Sequence, residues 1–163
     1  MKYLNQLIIS LSFCIGCSCG GEQYSDGYER NFETYEQLYD TTKNNLRITG
    51  AFPKEIISTD AYNLRNISYI KYYASVGTFN YSENKFYDSV FANTEIQIKF
   101  SLFERKAKEN RNLLPNWFLN MDSLNKNNFT AIRIGSLYAA RNLKEKKIYY
   151  VRSYIDASTN NTY

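Results

Sequence analysis

The sequence predicts an α+β domain, an antiparallel sheet of about five strands packed against helices on one face. Three observations lead there. Several segments alternate apolar and polar residues with a period of two, the mark of half-buried antiparallel strands. Helix-period segments fall between some of these strands without a regular βαβ alternation, which favours α+β over α/β. The composition is rich in Tyr (16) and Phe (10) with one Trp in 163 residues. Aromatic side chains pack well across neighbouring strands.

In chain order, residues 1–16 and 17–30 read as a leader and a Gly-containing polar tether, and residues 31–156 as the single domain. Asn31 is placed to cap a first helix, with Phe32, Tyr35, Leu38 and Tyr39 at helical spacing through about Asn44. Gly50 and Pro53 break that helix. Ala61 to Ile70 and Ala74 to Tyr81 read as strands, and Ser82 is placed to cap a second helix with Phe86 and Val90 at i and i+4. Thr94 to Phe103 carries the clearest strand pattern. Ile96, Ile98, Phe100 and Leu102 alternate with polar residues there, and are expected to face the helix bearing Phe32, Tyr35 and Leu38. Glu104 to Asn112 reads as charged and irregular, and Leu113 to Phe118 as a short turn around Pro115. Phe129 to Asn142 and Ile148 to Ile155 are strand-like, joined by a turn at Lys144–Lys147; residues 157–163 form a frayed polar tail.

The leader holds all three cysteines. Lys2 precedes the apolar run Leu7 to Ile15, and small residues follow, the layout of a secretory signal. The run is shorter than the roughly 20 apolar residues that span a bilayer. Ile15-Gly16-Cys17-Ser18 resembles the lipobox of bacterial lipoproteins. The resemblance implies cleavage after residue 16 and acylation of Cys17, with Gly16 as the small residue before it. Cys14 stands where the family prefers leucine, and Cys19, preceded by Ser18, is a rival site. Acylation by two or more chains gives stable anchoring. A bacterial cell-envelope location follows, at the periplasmic face or the outer-membrane surface. Gly50 to Ile57 with Asp60-Ala61-Tyr62-Asn63-Leu64 also looks like a pattern in small uncharacterised bacterial lipoproteins, over about a fifth of the chain. Ser58 stands where those proteins often carry a second proline. That likeness implies no activity.

The chain has no histidine, so the commonest general base and metal ligand is absent. No cofactor is expected, and leader cysteines cannot build a disulfide framework. Loss of Lys2 lowers the net charge from +4 to +3, too little to suggest nucleic acid. The basic clusters Arg105–Lys108 and Lys144–Lys147 read first as solvated turns, with contact to an anionic lipid headgroup as the functional alternative. Asp60 is the best isolated carboxylate but reads first as a turn or cap residue. Ser136 lacks a base partner. Trp117 and Phe118 read either as a plug of the core or as an exposed stacking pair. The sequons at Asn66, Asn80, Asn128 and Asn160 carry no weight beside a bacterial leader. A non-enzymatic protein-binding module, immunity-like, fits best. The alternatives are a carbohydrate-binding surface lipoprotein using Tyr and Trp117, and a hydrolase using carboxylates alone.

Overall fold

A computed structural model describes residues 27–44, 52–121 and 124–153. The leader, Cys14, Cys17, Cys19 and the tail from 157 lie outside the described residues.

Strand β1 (Gly27–Thr34), β2 (Ala61–Tyr69) and β3 (Ala74–Tyr81) form one antiparallel meander. A second comprises β4 (Gln97–Ile98), β5 (Phe129–Ile134), β6 (Leu137–Asn142) and β7 (Lys147–Ser153). Strands β3 and β7 join them antiparallel, so the single sheet runs β1-β2-β3-β7-β6-β5-β4. The α+β class holds, but among the described residues seven strands replace the expected five, and the sheet dominates. Two local features raise the number. Phe129 to Asn142 folds back on itself at Gly135, whose φ of +57° suits a residue without Cβ. Gly27 to Thr34, partly assigned to the tether and partly to the first helix, instead pairs along β2.

Helix α1 (Tyr35–Asn44) therefore starts after Thr34, and Asn31 is a strand residue opposite Arg65. Thr34 Oγ1 accepts from the Gln37 amide at 3.4 Å, and Gln37 Oε1 accepts from the Glu33 amide at 2.9 Å. This reciprocal arrangement resembles a capping box, with Thr34 rather than Asn31 as the cap.

The predicted strand Thr94 to Phe103 is mostly not a strand. Only Gln97 and Ile98 pair, with Ile132 and Ala131, before the chain enters helix α3 (Phe100–Glu109). Of the segment expected to be irregular, Glu104 to Asn112, the part through Glu109 is the rest of that helix, and a short 3-10 turn at Arg111–Leu113 follows. Leu, Glu, Arg, Lys and Ala are strong helix formers. Glu104–Lys108 at 2.9 Å and Arg105–Glu109 at 3.9 Å add i,i+4 pairs. Phe103 and Ala107, four residues apart, are fully buried. Consequently Ile96, Ile98, Phe100 and Leu102 share no strand face, and only Ile96 packs on the cluster containing Leu38.

Helices do not keep to one face of the sheet. One face packs Phe79, Tyr150, Leu64 and Ile148 beneath α1, residues 52–56 and helix α2 (Asn84–Phe91). The other packs Val76, Tyr149, Val151 and Ala140 beneath α3 and Leu113–Met121. The central strands explain this third layer. Nearly every residue of β3 is buried, and so is most of β7, so both faces need cover. At the junction Gly77 lies opposite Tyr150, and any Cβ there would collide with the Tyr150 ring and the Arg65 carbonyl. The absent side chain makes room for the ring.

Candidate binding surface

Asp60, the carboxylate singled out from sequence, sits just before β2 and serves as a clasp. Its Oδ2 accepts from the Ser82 and Glu83 amides at 2.9 and 2.7 Å, and Ser58 Oγ donates to its other oxygen. Burial pushes its pKa up, but the Ser58 hydroxyl and the Glu83 and Ser82 amides outweigh burial and hold it below the ordinary carboxylate value. Asp60 thus ties the entrance of α2 to the start of β2, where a negative charge also suits the helix dipole. Helix α2 gets no cap from Ser82. The residues it buries are Tyr87 and Phe91, one position on from the expected Phe86 and Val90. Tyr87 lies with its hydroxyl 2.9 Å from Ser58 Oγ, and burial pushes its pKa up to about 12.

A second polar inclusion lies under the same helix. Arg141 on β6 is buried and donates to Tyr81 Oη at 2.6 Å, Asp88 Oδ1 at 2.7 Å and Asn84 Oδ1 at 3.2 Å. A third joins the two meanders: Asn66 donates to Tyr150 Oη at 2.9 Å, and burial raises the Tyr150 pKa. Each of these buried polar groups has a partner within the fold, as burial demands. Their first role is structural. The sequence carried no local signal for Arg141, whose partners are 53 to 60 residues away.

The aromatic residues divide between interior and surface. Tyr69, Tyr81, Tyr87, Tyr149 and Tyr150 are buried; Tyr28, Tyr39, Tyr62, Tyr72 and Tyr73 are exposed but spread over both ends of the sheet and α1. They form no single stacking face. Trp117 is half-buried against the second core, 6.4 Å from the Phe118 ring, and Phe118 is buried. The Arg65 guanidinium lies 4.6 Å from the Trp117 ring centroid, while its other side reaches Glu29 at 3.0 Å. One face of the indole is therefore occupied. Ser136 forms part of the β5–β6 turn, where its carbonyl accepts from the Ser153 amide at 3.3 Å. The first basic cluster lies in α3 rather than in a turn, and its Lys106 is buried with Nζ 3.1 Å from Glu109. The second, Lys144–Lys147, does lie in the β6–β7 turn region.

An open hollow of about 540 Å³ remains beside α3. Leu114, Leu119 and Met121, all half-buried, supply apolar surface, and Lys108 and Arg111 stand exposed around it. Nothing in the sequence predicted it, because it needs the Leu113–Met121 segment folded against α3. Among the described residues no three Asp, Glu or Cys side chains gather as metal ligands, and no helix is long and apolar enough to cross a membrane. No protein-family model, curated protein or solved structure matches the chain.

Proposed function

We propose that this chain is a lipid-anchored protein of the bacterial cell envelope, acylated on Cys17, that binds another protein and performs no chemistry. An immunity-like module held at the membrane is the closest description. The observation that carries the binding half is the hollow beside α3. Apolar Leu114, Leu119 and Met121 with Lys108 and Arg111 at the margin fit an acidic, partly apolar protein segment. The anchor half rests on Ile15-Gly16-Cys17-Ser18. The carbohydrate reading is weakened because the Arg65 guanidinium already covers one face of Trp117. A carboxylate hydrolase is weakened because the Asp60 carboxylate is committed to the α2 entrance.

Two measurements test the halves separately. Cells fed a fatty-acid analogue should label the wild-type chain and lose the label with Cys17→Ala but keep it with Cys19→Ala; unchanged labelling in both variants would remove the anchor. Pull-downs with the mature chain, from the producing organism's extract and from competitors' secretions, should capture a protein that the Arg111→Glu/Met121→Glu variant does not. Arg111 is exposed but Met121 is half-buried against the second core, so the melt of the double variant is measured first, and Arg111→Glu alone, which should melt like wild type, is tested beside it. Equal capture by a folded variant would remove the hollow as the binding site.

A further inference from the structure

Three of the most exposed bulky side chains occupy a single turn. Strands β2 and β3 are joined by Ile70-Lys71-Tyr72-Tyr73, closed by a hydrogen bond from the Tyr73 amide to the Ile70 carbonyl at 3.1 Å. Ile70 is 67% exposed, Tyr73 64% and Tyr72 45%. A solvated turn needs none of these side chains, and polar residues would do better in water. Tyr73 also has φ +46°, a left-handed conformation that glycine or asparagine adopts far more readily than a bulky aromatic. The fold gains little packing from a ring it holds at a conformational cost, so the need for that ring lies outside the fold.

We propose that this hairpin tip inserts into the lipid–water interface of the membrane and sets the orientation of the anchored domain. Where the membrane lies rests on the Cys17 anchor proposed above. Gly27 pairs with Tyr69, the residue immediately before the tip. The chain coming from Cys17 therefore joins the sheet beside Ile70, not at the opposite end. Nine residues lie between Cys17 and Gly27, so ten Cα-to-Cα steps join them. At full extension they reach about 33–36 Å, which lets the tip descend to the headgroups. The tip's chemistry suits that depth. Tyrosine rings favour the headgroup region, Ile70 supplies an aliphatic group for the acyl boundary, and Lys71 can extend toward anionic phosphates. Lys71 Nζ is already 5.7 Å from the Tyr72 ring centroid, so charge and ring work as one amphipathic unit. The turn at the other end of the sheet, Leu143-Lys144-Glu145-Lys146, has three charged residues and one apolar residue. These two turns are thus chemically unlike, as a one-sided contact with a membrane requires.

The test uses the full mature chain on vesicles of phosphatidylethanolamine and phosphatidylglycerol. In a Cys19→Ser background the acylated Cys17 thiol is blocked, so a polarity-sensitive fluorophore can be attached at Lys71→Cys or, as a control, at Lys144→Cys. Emission at position 71 should shift to the blue and be quenched by lipid-borne nitroxides, and that at 144 should not. Tyr73→Gly should hold or raise the melting midpoint while reducing the quenching. Acylated chain with position 71 as aqueous as position 144 overturns the tip and leaves the anchor standing. A fall in melting midpoint with Tyr73→Gly also overturns it, since the ring would then serve the fold. If the chain is not acylated, the Cys17→Ala chain with saturating vesicles decides. A blue shift at 71 that Ile70→Ser abolishes supports the tip without the anchor, and no shift removes both.

Discussion

The two faces of the sheet are built on different principles. On the face beneath α2 the largest side chains, Phe79, Tyr81, Tyr87 and Tyr150, are fully buried, and the hydroxyls of the three tyrosines meet Arg141, Ser58 and Asn66 in that order. Among the described residues, Phe32, Ile57, Val90, Ile96 and Ile134 border that core half-buried. The face beneath α3 buries Phe103, Ala107, Val76 and Val151 fully but carries a wider half-buried margin, Leu113, Leu114, Trp117, Leu119 and Met121 among them. Here the polar contacts sit at the rim, as with Arg65 over Trp117 or Glu104 between Lys108 at 2.9 Å and Lys126 at 2.7 Å. The lesson is a division of labour. The first face supplies a closed core whose polar groups are committed inward, while the second leaves apolar and cationic groups accessible, where a partner can use them. Regions with fewer fully buried contacts also open at lower free energy.

The largest expected effect separates the two faces directly. Phe79→Ala should cost about 3–5 kcal/mol, as truncation of a buried Phe does, whereas Leu114→Ala in the half-buried cover should cost about 1–2 kcal/mol because its surroundings can collapse. Denaturant melts of both variants measure this. Equal losses would mean that the second face is as closed as the first.

A smaller effect probes the clasp on the first face. Asp60→Ala should cost about 0.5–2 kcal/mol at neutral pH, the range for losing a helix-entrance acceptor. Its carboxylate has a folded pKa below the ordinary value, so its contribution is complete above the unfolded value of about 3.9 and fades as pH falls through the folded one. The gap between wild type and variant should therefore narrow in acid. A gap that stays constant from neutral pH to strong acid would show that the ionised carboxylate is not what holds α2.

The smallest effect sharpens the picture of α3. Lys99→Ala, at an exposed position with no cap hydrogen bond, should change stability by about 0.5 kcal/mol or less. Thermal melts check it, and a loss well above that would point to an unseen role for the ammonium group where β4 becomes α3.

What could be read from the sequence was local. Ala74 to Tyr81 begins and ends as a strand where its pattern says, and β2 differs from expectation by one residue, because period-two burial and the intervening turn are contained within each segment. The β6–β7 turn was legible for the same reason. Asp60 was legible as a cap-type residue, although what it clasps, the α2 entrance 22 residues on, was not. The tertiary structure decided the rest. Ile96, Ile98, Phe100 and Leu102 satisfy a strand pattern, while Phe100, Phe103 and Ala107 satisfy a helical one. Both periods fit one stretch, and packing of Phe103 and Ala107 on the second face selected the helix. Phe32 with Tyr35 and Leu38 likewise continued a helical spacing backwards into β1, where pairing with β2 overruled it. Trp117 acquired its environment from Arg65, 52 positions away, and Arg141 from α2. Such contacts depend on the order β1-β2-β3-β7-β6-β5-β4, and strand order is a property of the whole chain that no window of sequence contains.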